Sequence, residues 1–149
     1  MIVAALLSAI HMLTLALGAG AIFARGRALA GPLDDAGWRR LLAADTAWGV
    51  AALLWIASGV ARVFFGGKEP GFYWRNGFFW VKLVLFLLVF TFEQAPMMTF
   101  IRARRARSQG AAMPRFPIDA YRHINTIELA LVVTIVVVAA FMARGAWLF

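Results

Sequence analysis

Six ionisable side chains stand in stretches of sequence that are otherwise apolar: His11, Asp45, Arg62, Lys82, Glu93 and Glu128. In hydrocarbon such groups are costly, and those that persist pair with one another, line a cavity or hold a ligand. An imidazole such as His11 can ligate haem iron, with Met or a second His completing the pair. Arg62 and Lys82 can receive an anion, whether a haem propionate, a lipid phosphate or a carboxylate. Asp45, Glu93 and Glu128 can take up protons or pair with cations, and Arg39, Arg102 and Arg122 are the arginines nearest to hand. Each group also has a plain structural reading. Arg62 and Lys82 can snorkel to headgroups. His11 can bond to a helix carbonyl, and Met12, Met97, Met98 and Met142 are packing residues more often than ligands.

The elements that position these groups follow from length and hydropathy. A membrane-spanning helix needs about 20 mostly apolar residues. Four segments qualify, at about 2–23, 41–65, 77–98 and 124–142. We therefore expect an all-α, polytopic four-helix membrane bundle forming one domain over residues 1–149. Three loops join the helices, at 24–40, 66–76 and 99–123, and Pro114 and Pro117 interrupt the third. Cations set the orientation. Loop one carries Arg25, Arg27, Arg39 and Arg40, and loop three carries Arg102, Arg104, Arg105, Arg107, Arg115 and Arg122. Positive loops stay cytoplasmic. Both termini and loop two then face the non-cytoplasmic side, with Tyr73, Trp74, Trp80 and Trp147 at that interface. Asp45, Glu93 and Glu128 form an inner acidic layer, and Arg62 and Lys82 an outer basic one.

Periodicity refines the picture. Lys82 and Glu93 are eleven residues apart and share a helix face, but about 16 Å of axial rise separates them. The His11 face carries Ala4, Ser8, Thr14 and Gly18, small or hydroxylated residues that suit a bundle interior. His11, Arg62 and Lys82 are expected to line one cavity, with Tyr73 and Asn76 at its rim. Segment two is rich in Ala, Gly and Ser, which permits close helix approach. It is expected near the centre, with segments three and four more exposed to lipid.

Composition closes off other classes. Of 149 residues, 63% are hydrophobic and 15% charged, too little polar surface for a soluble domain. There is no cysteine, so disulfides, thiolate catalysis and iron–sulfur clusters are excluded. The formal net charge of +8 sits in runs beside apolar segments, which points to lipid headgroups and not to nucleic acid. No phosphate loop, zinc-protease motif or nucleophile elbow is present.

Over nearly its whole length the chain resembles a family of small four-helix bacterial membrane proteins, a domain of unknown function. The residues that carry this are Ile10-His11, Ala44-Asp45, Trp48-Gly49, Gly59-Val60-Ala61-Arg62-Val63-Phe64, Gly67-Lys68, Gly71-Phe72-Tyr73 through Asn76 and Phe79 to Lys82, Leu85-Phe86, and Glu128. The resemblance implies a multi-pass protein of the bacterial cell (inner) membrane. A fainter one is to the HemJ-type protoporphyrinogen oxidases and CopD-like proteins, which share a His in helix one and a Lys in helix three. Those oxidases are haem proteins with a second His two residues before the Lys, where this chain has Trp80.

Three readings follow. In the first, the protein binds a redox cofactor or small amphipathic ligand, haem b among the candidates, with His11 as ligand and Arg62 and Lys82 as anion partners. In the second, it carries a solute or protons through the acidic layer. In the third, it is a scaffold subunit associating, as a homo-oligomer for example, through segment two.

Overall fold

The computed structural model describes residues 2–146, and Trp147, one of the expected interface aromatics, lies outside them. Among the described residues the elements are α1 (Ile2–Ala30), α2 (Asp35–Phe65), α3 (Pro70–Trp74), α4 (Gly77–Ser108) and α5 (Ile118–Ala143). The four long helices are each apolar enough and long enough to cross a membrane. Their outward faces carry large apolar side chains, including Leu13, Leu17, Leu53, Phe64, Leu87 and Val137. Lipid tails solvate such faces at no penalty, while the helical ladder satisfies the backbone.

Each helix overruns the apolar stretch that announces it, mostly at the arginine-rich end. α1 continues to Ala30, so Arg25 and Arg27 are helical and not loop residues. α2 starts six residues early, where the Asp34 carboxylate accepts from the Gly37 amide at 2.7 Å and caps it. The expected loop 24–40 shrinks to a turn at 31–34. α4 runs through buried Pro96 to Ser108 and carries four of the six arginines assigned to loop three, Arg102, Arg104, Arg105 and Arg107, while Arg122 is on α5. Gly110, at φ +62°, follows α4 and supplies the left-handed turn that ends it. The short α3 was not expected. Pro70 supplies its first position, where a missing N–H costs nothing.

Among the described residues α2 has the most buried positions, as its small residues led us to expect, and it packs chiefly against α1. α1 lies along both α2 and α5, and α5 along α4, but α2 and α4 scarcely meet. The cause is on α1 itself. Thr14, Gly18, Ala21, Ile22, Arg25, Ala28 and Leu29 are buried, a stripe of mostly small residues that lets two neighbours approach. A Cβ on Gly18 would lie 3.0 Å from the Trp48 ring. The bundle therefore closes around α1 and α5 and leaves a seam between α2 and α4.

Three apolar clusters fill the interior. One, at the arginine-rich end, joins Leu29, Trp38, Leu41, Phe100 and Tyr121. The middle one holds Ile22, Trp48, Trp55, Val89, Val132 and Ile135. At the α3 end Val63, Tyr73, Phe79 and Met142 pack together. Trp74 and Trp80 are exposed there, as expected, but Tyr73 is buried and its hydroxyl donates to the Arg62 carbonyl at 3.3 Å.

Candidate functional site

The seam between α2 and α4 contains both cavities of interest. Toward the α3 end a cavity of about 170 Å³ is lined by His11, Trp55, Gly59, Phe79, Lys82 and Phe86, with Ile56, Val60, Leu83 and Ile135. A larger one of about 460 Å³ extends toward the arginine-rich end. Its wall runs from Ile56 and Phe86, shared with the first, through Trp48, Val89 and Met97 to Asp45, Glu93 and Arg104. Val50, Leu53 and Phe90 also line it and are more than half exposed, so it opens sideways toward acyl chains. The two adjoin at Ile56 and Phe86 along one lateral groove between the helices, apolar along its length and charged at both ends.

At the first end His11 is held from both sides. The Trp55 indole N–H donates to His11 Nε2 at 3.0 Å. An indole can only donate, so Nε2 is the acceptor, and the ring proton sits on Nδ1. That nitrogen lies 2.9 Å from Ser58 Oγ, which in turn donates to the Trp55 carbonyl at 3.1 Å. The α2 turn Trp55–Ser58 thus clasps the imidazole, and Gly59 makes room for it, since a Cβ there would lie 3.2 Å from His11 Cε1. A haem ligand needs an imidazole lone pair. The Nε2 lone pair is committed to Trp55, and Nδ1 carries the proton, so these residues do not fit haem iron. Among the described residues no group of three or more His, Asp or Glu side chains is arranged so that it could hold a metal ion.

Lys82 is the other polar wall of this cavity. Its ammonium lies 5.1 Å from the Phe79 ring centre and has no hydrogen-bond or ion-pair partner among the described residues. Arg62, half-buried and three residues beyond Gly59, sits one helical turn past the cavity without lining it. The two expected rim residues are structural. Tyr73 holds the α2 backbone. Asn76 is wholly buried, caps α4 by accepting from the Phe78 amide at 3.0 Å, and donates to the Ala146 carbonyl.

At the other end the three carboxylates converge on one residue that the sequence reading left in a loop. Arg25 is 1% exposed. Its Nε donates to Asn125 Oδ1 at 2.9 Å, and Asn125 is held in turn by the Ile22 carbonyl. Nη1 lies 3.2 Å from Asp45 Oδ1 and 2.8 and 2.9 Å from the two oxygens of Glu93. Nη2 donates to Glu128. Asp45 also accepts from Arg104 Nη2 at 2.6 Å, and Glu93 from the Trp48 indole at 3.1 Å. One guanidinium on α1 therefore ties α2, α4 and α5 together. The acidic residues are paired and not lipid-facing, as expected, but through Arg25 and Arg104. The suggested partners are occupied elsewhere or exposed: Arg39 pairs with Asp35, Arg122 with Asp119, and Arg102 is exposed.

Comparison with known proteins places the chain in one family. It belongs to a family described as predicted membrane protein (DUF2214), whose sequence profile covers residues 3–146. No curated protein and no solved structure matches it.

Proposed function

We propose, starting from membership in a family of membrane proteins, that this one binds an anionic amphiphile in the groove between α2 and α4. The acyl chain lies along Ile56, Phe86 and Val89, and the head group, a phosphate or carboxylate, meets Lys82, with Arg62 one turn beyond. The observation that carries the reading is Lys82: a half-buried ammonium lining a cavity with no acidic partner among the described residues. An unpaired cation at this depth is stabilised by an anion brought from outside the chain. His11 supports the same reading as a fixed wall. Its Nδ1–H and Nε2 are spent internally, so it shapes the cavity and contributes no metal chemistry. We place the protein in the bacterial inner membrane, with the arginine-rich end cytoplasmic, on the positive-inside rule.

The test is thermal unfolding in mild detergent with added phosphatidylglycerol, oleate, or neutral monoolein. A ligand at a hundred times its Kd stabilises by about 2.7 kcal/mol, which reads as several degrees of Tm. Phosphatidylglycerol or oleate is expected to give that rise and monoolein little, and Lys82→Gln is expected to remove the difference. Phosphatidylglycerol acting alone assigns the head as phosphate, and oleate alone as carboxylate. Equal shifts from all three, or an undiminished anionic shift in Lys82→Gln, would overturn the reading.

A further inference from the structure

The Arg25 cluster is short of one positive charge. Asp45 on α2, Glu93 on α4 and Glu128 on α5 bring three carboxylates, while Arg25 on α1 and Arg104 on α4 bring two guanidiniums. Among the described residues these are all the charged side chains that meet there. A net negative charge enclosed in low dielectric is unstable, and the least costly remedy is to bind a proton. A second observation says where. Glu128 is fully buried, and its Oε1 has no hydrogen-bond partner while its Oε2 is held by Arg25. Glu93 and Glu128 also converge on the two terminal nitrogens of the one Arg25 guanidinium. Two carboxylates gathered on one guanidinium repel each other, and a proton on one of them removes that repulsion. A proton on Glu128 Oε1 takes the charge off the one carboxyl oxygen that no donor reaches and brings the cluster to neutrality at once.

We propose that the cluster is a proton-binding site, with one exchangeable proton held between Glu128 and Glu93. Exchange runs through Glu93, because Glu93 borders the lateral groove and Glu128 is enclosed. The site stands on different residues from those that receive the amphiphile.

Infrared spectroscopy of the whole protein in nanodiscs at neutral pH tests this, reading the C=O stretch of a protonated carboxyl group. The chain has seven Asp and Glu side chains, and the four outside the cluster, Asp34, Asp35, Glu69 and Asp119, are exposed, so a buried band is assignable. Wild type is expected to show one such band that shifts in D2O without unfolding. Glu128→Gln and Glu93→Gln are each expected to lose it, because either leaves two carboxylates facing two guanidiniums. If one variant fails to fold, the other decides. A wild type with no such band, a band that D2O does not move, or a band that survives in either folded variant would overturn the proposal.

Discussion

Replacing Arg25 with Met keeps the length and apolar stem of the side chain and removes the guanidinium. Four contacts to carboxylate oxygens and one to Asn125 are lost together. Hydrogen bonds to charged groups contribute about 1.5–3 kcal/mol each, but those sharing one donor group do not add. The better guide is the cost of breaking a buried ion pair from one side, about 3–5 kcal/mol, most of it from the carboxylates left behind. Against a total stability of about 5–15 kcal/mol, that is a large share. The assay is reversible unfolding in mixed micelles, with Arg39→Met as control, since the Arg39–Asp35 pair is exposed and such pairs are worth about 0–1 kcal/mol. If the loss comes from stranded acid, Arg25→Met with Asp45→Asn recovers part of it, and the two changes couple by roughly 0.5–3 kcal/mol. Arg25→Lys should fall between, because one ammonium cannot span Asn125 and three carboxylates. An Arg25→Met protein as stable as the Arg39→Met control, or a double variant no better than the single one, would refute the clamp.

Two further outcomes follow from the same geometry. A Cβ at Gly26 would lie 2.6 Å from Asn125 Nδ2, displacing the residue that orients Arg25, so Gly26→Ala is expected to cost about 1–3 kcal/mol. Gly20→Ala, with open space around it, should cost nothing, and equal unfolding midpoints for the two would contradict the argument. For topology, the absence of native cysteine makes single-cysteine labelling direct. An impermeant maleimide added to intact cells is expected to label Lys68→Cys and not Ala112→Cys, and the reverse pattern would invert the orientation.

The four spanning helices were legible because about 20 apolar residues admit few other structures. Their ends were not, because a hydropathy window closes at the first charge. Arg25 shows the cost of that rule. It falls at the edge of an apolar run and reads as a loop residue, yet it is the most buried cation of the chain. A signal was present. The small face of α1 recognised at Thr14 and Gly18 continues by threes and fours through Ala21, Ile22 and Arg25 to Ala28 and Leu29. Following the face instead of the hydropathy would have placed the arginine inside. Arg104 was hidden for the opposite reason, as one of four similar arginines of which only this one reaches Asp45. The juxtaposition of His11 with Lys82 was anticipated, because small residues around His11 marked an interior face. The roles of Trp55 and Ser58 were not, since indoles and hydroxyls are common in helices and only the fold shows which imidazole they meet.

The clamp and the groove depend on each other. α2 and α4 touch little, so something other than their own packing must hold them at a fixed separation. Arg25 supplies that link, reaching Asp45 on α2 and Glu93 on α4 from a third helix, while Arg104 bridges directly from α4 to Asp45 and the Leu42 carbonyl. Toward the α3 end no comparable ionic tie crosses the seam among the described residues, and the walls there are Ile56, Gly59, Phe79 and Phe86 around an unpaired Lys82. A bundle pinned at one end of its seam and held apart by side chains at the other can admit a chain-shaped ligand sideways without losing its fold. The same pin carries the carboxyl groups that border the groove. On the proton site proposed above, a change in their charge would act on the ion pairs of Arg25 with Asp45 and Glu93, the two residues that belong to both the cluster and the groove wall.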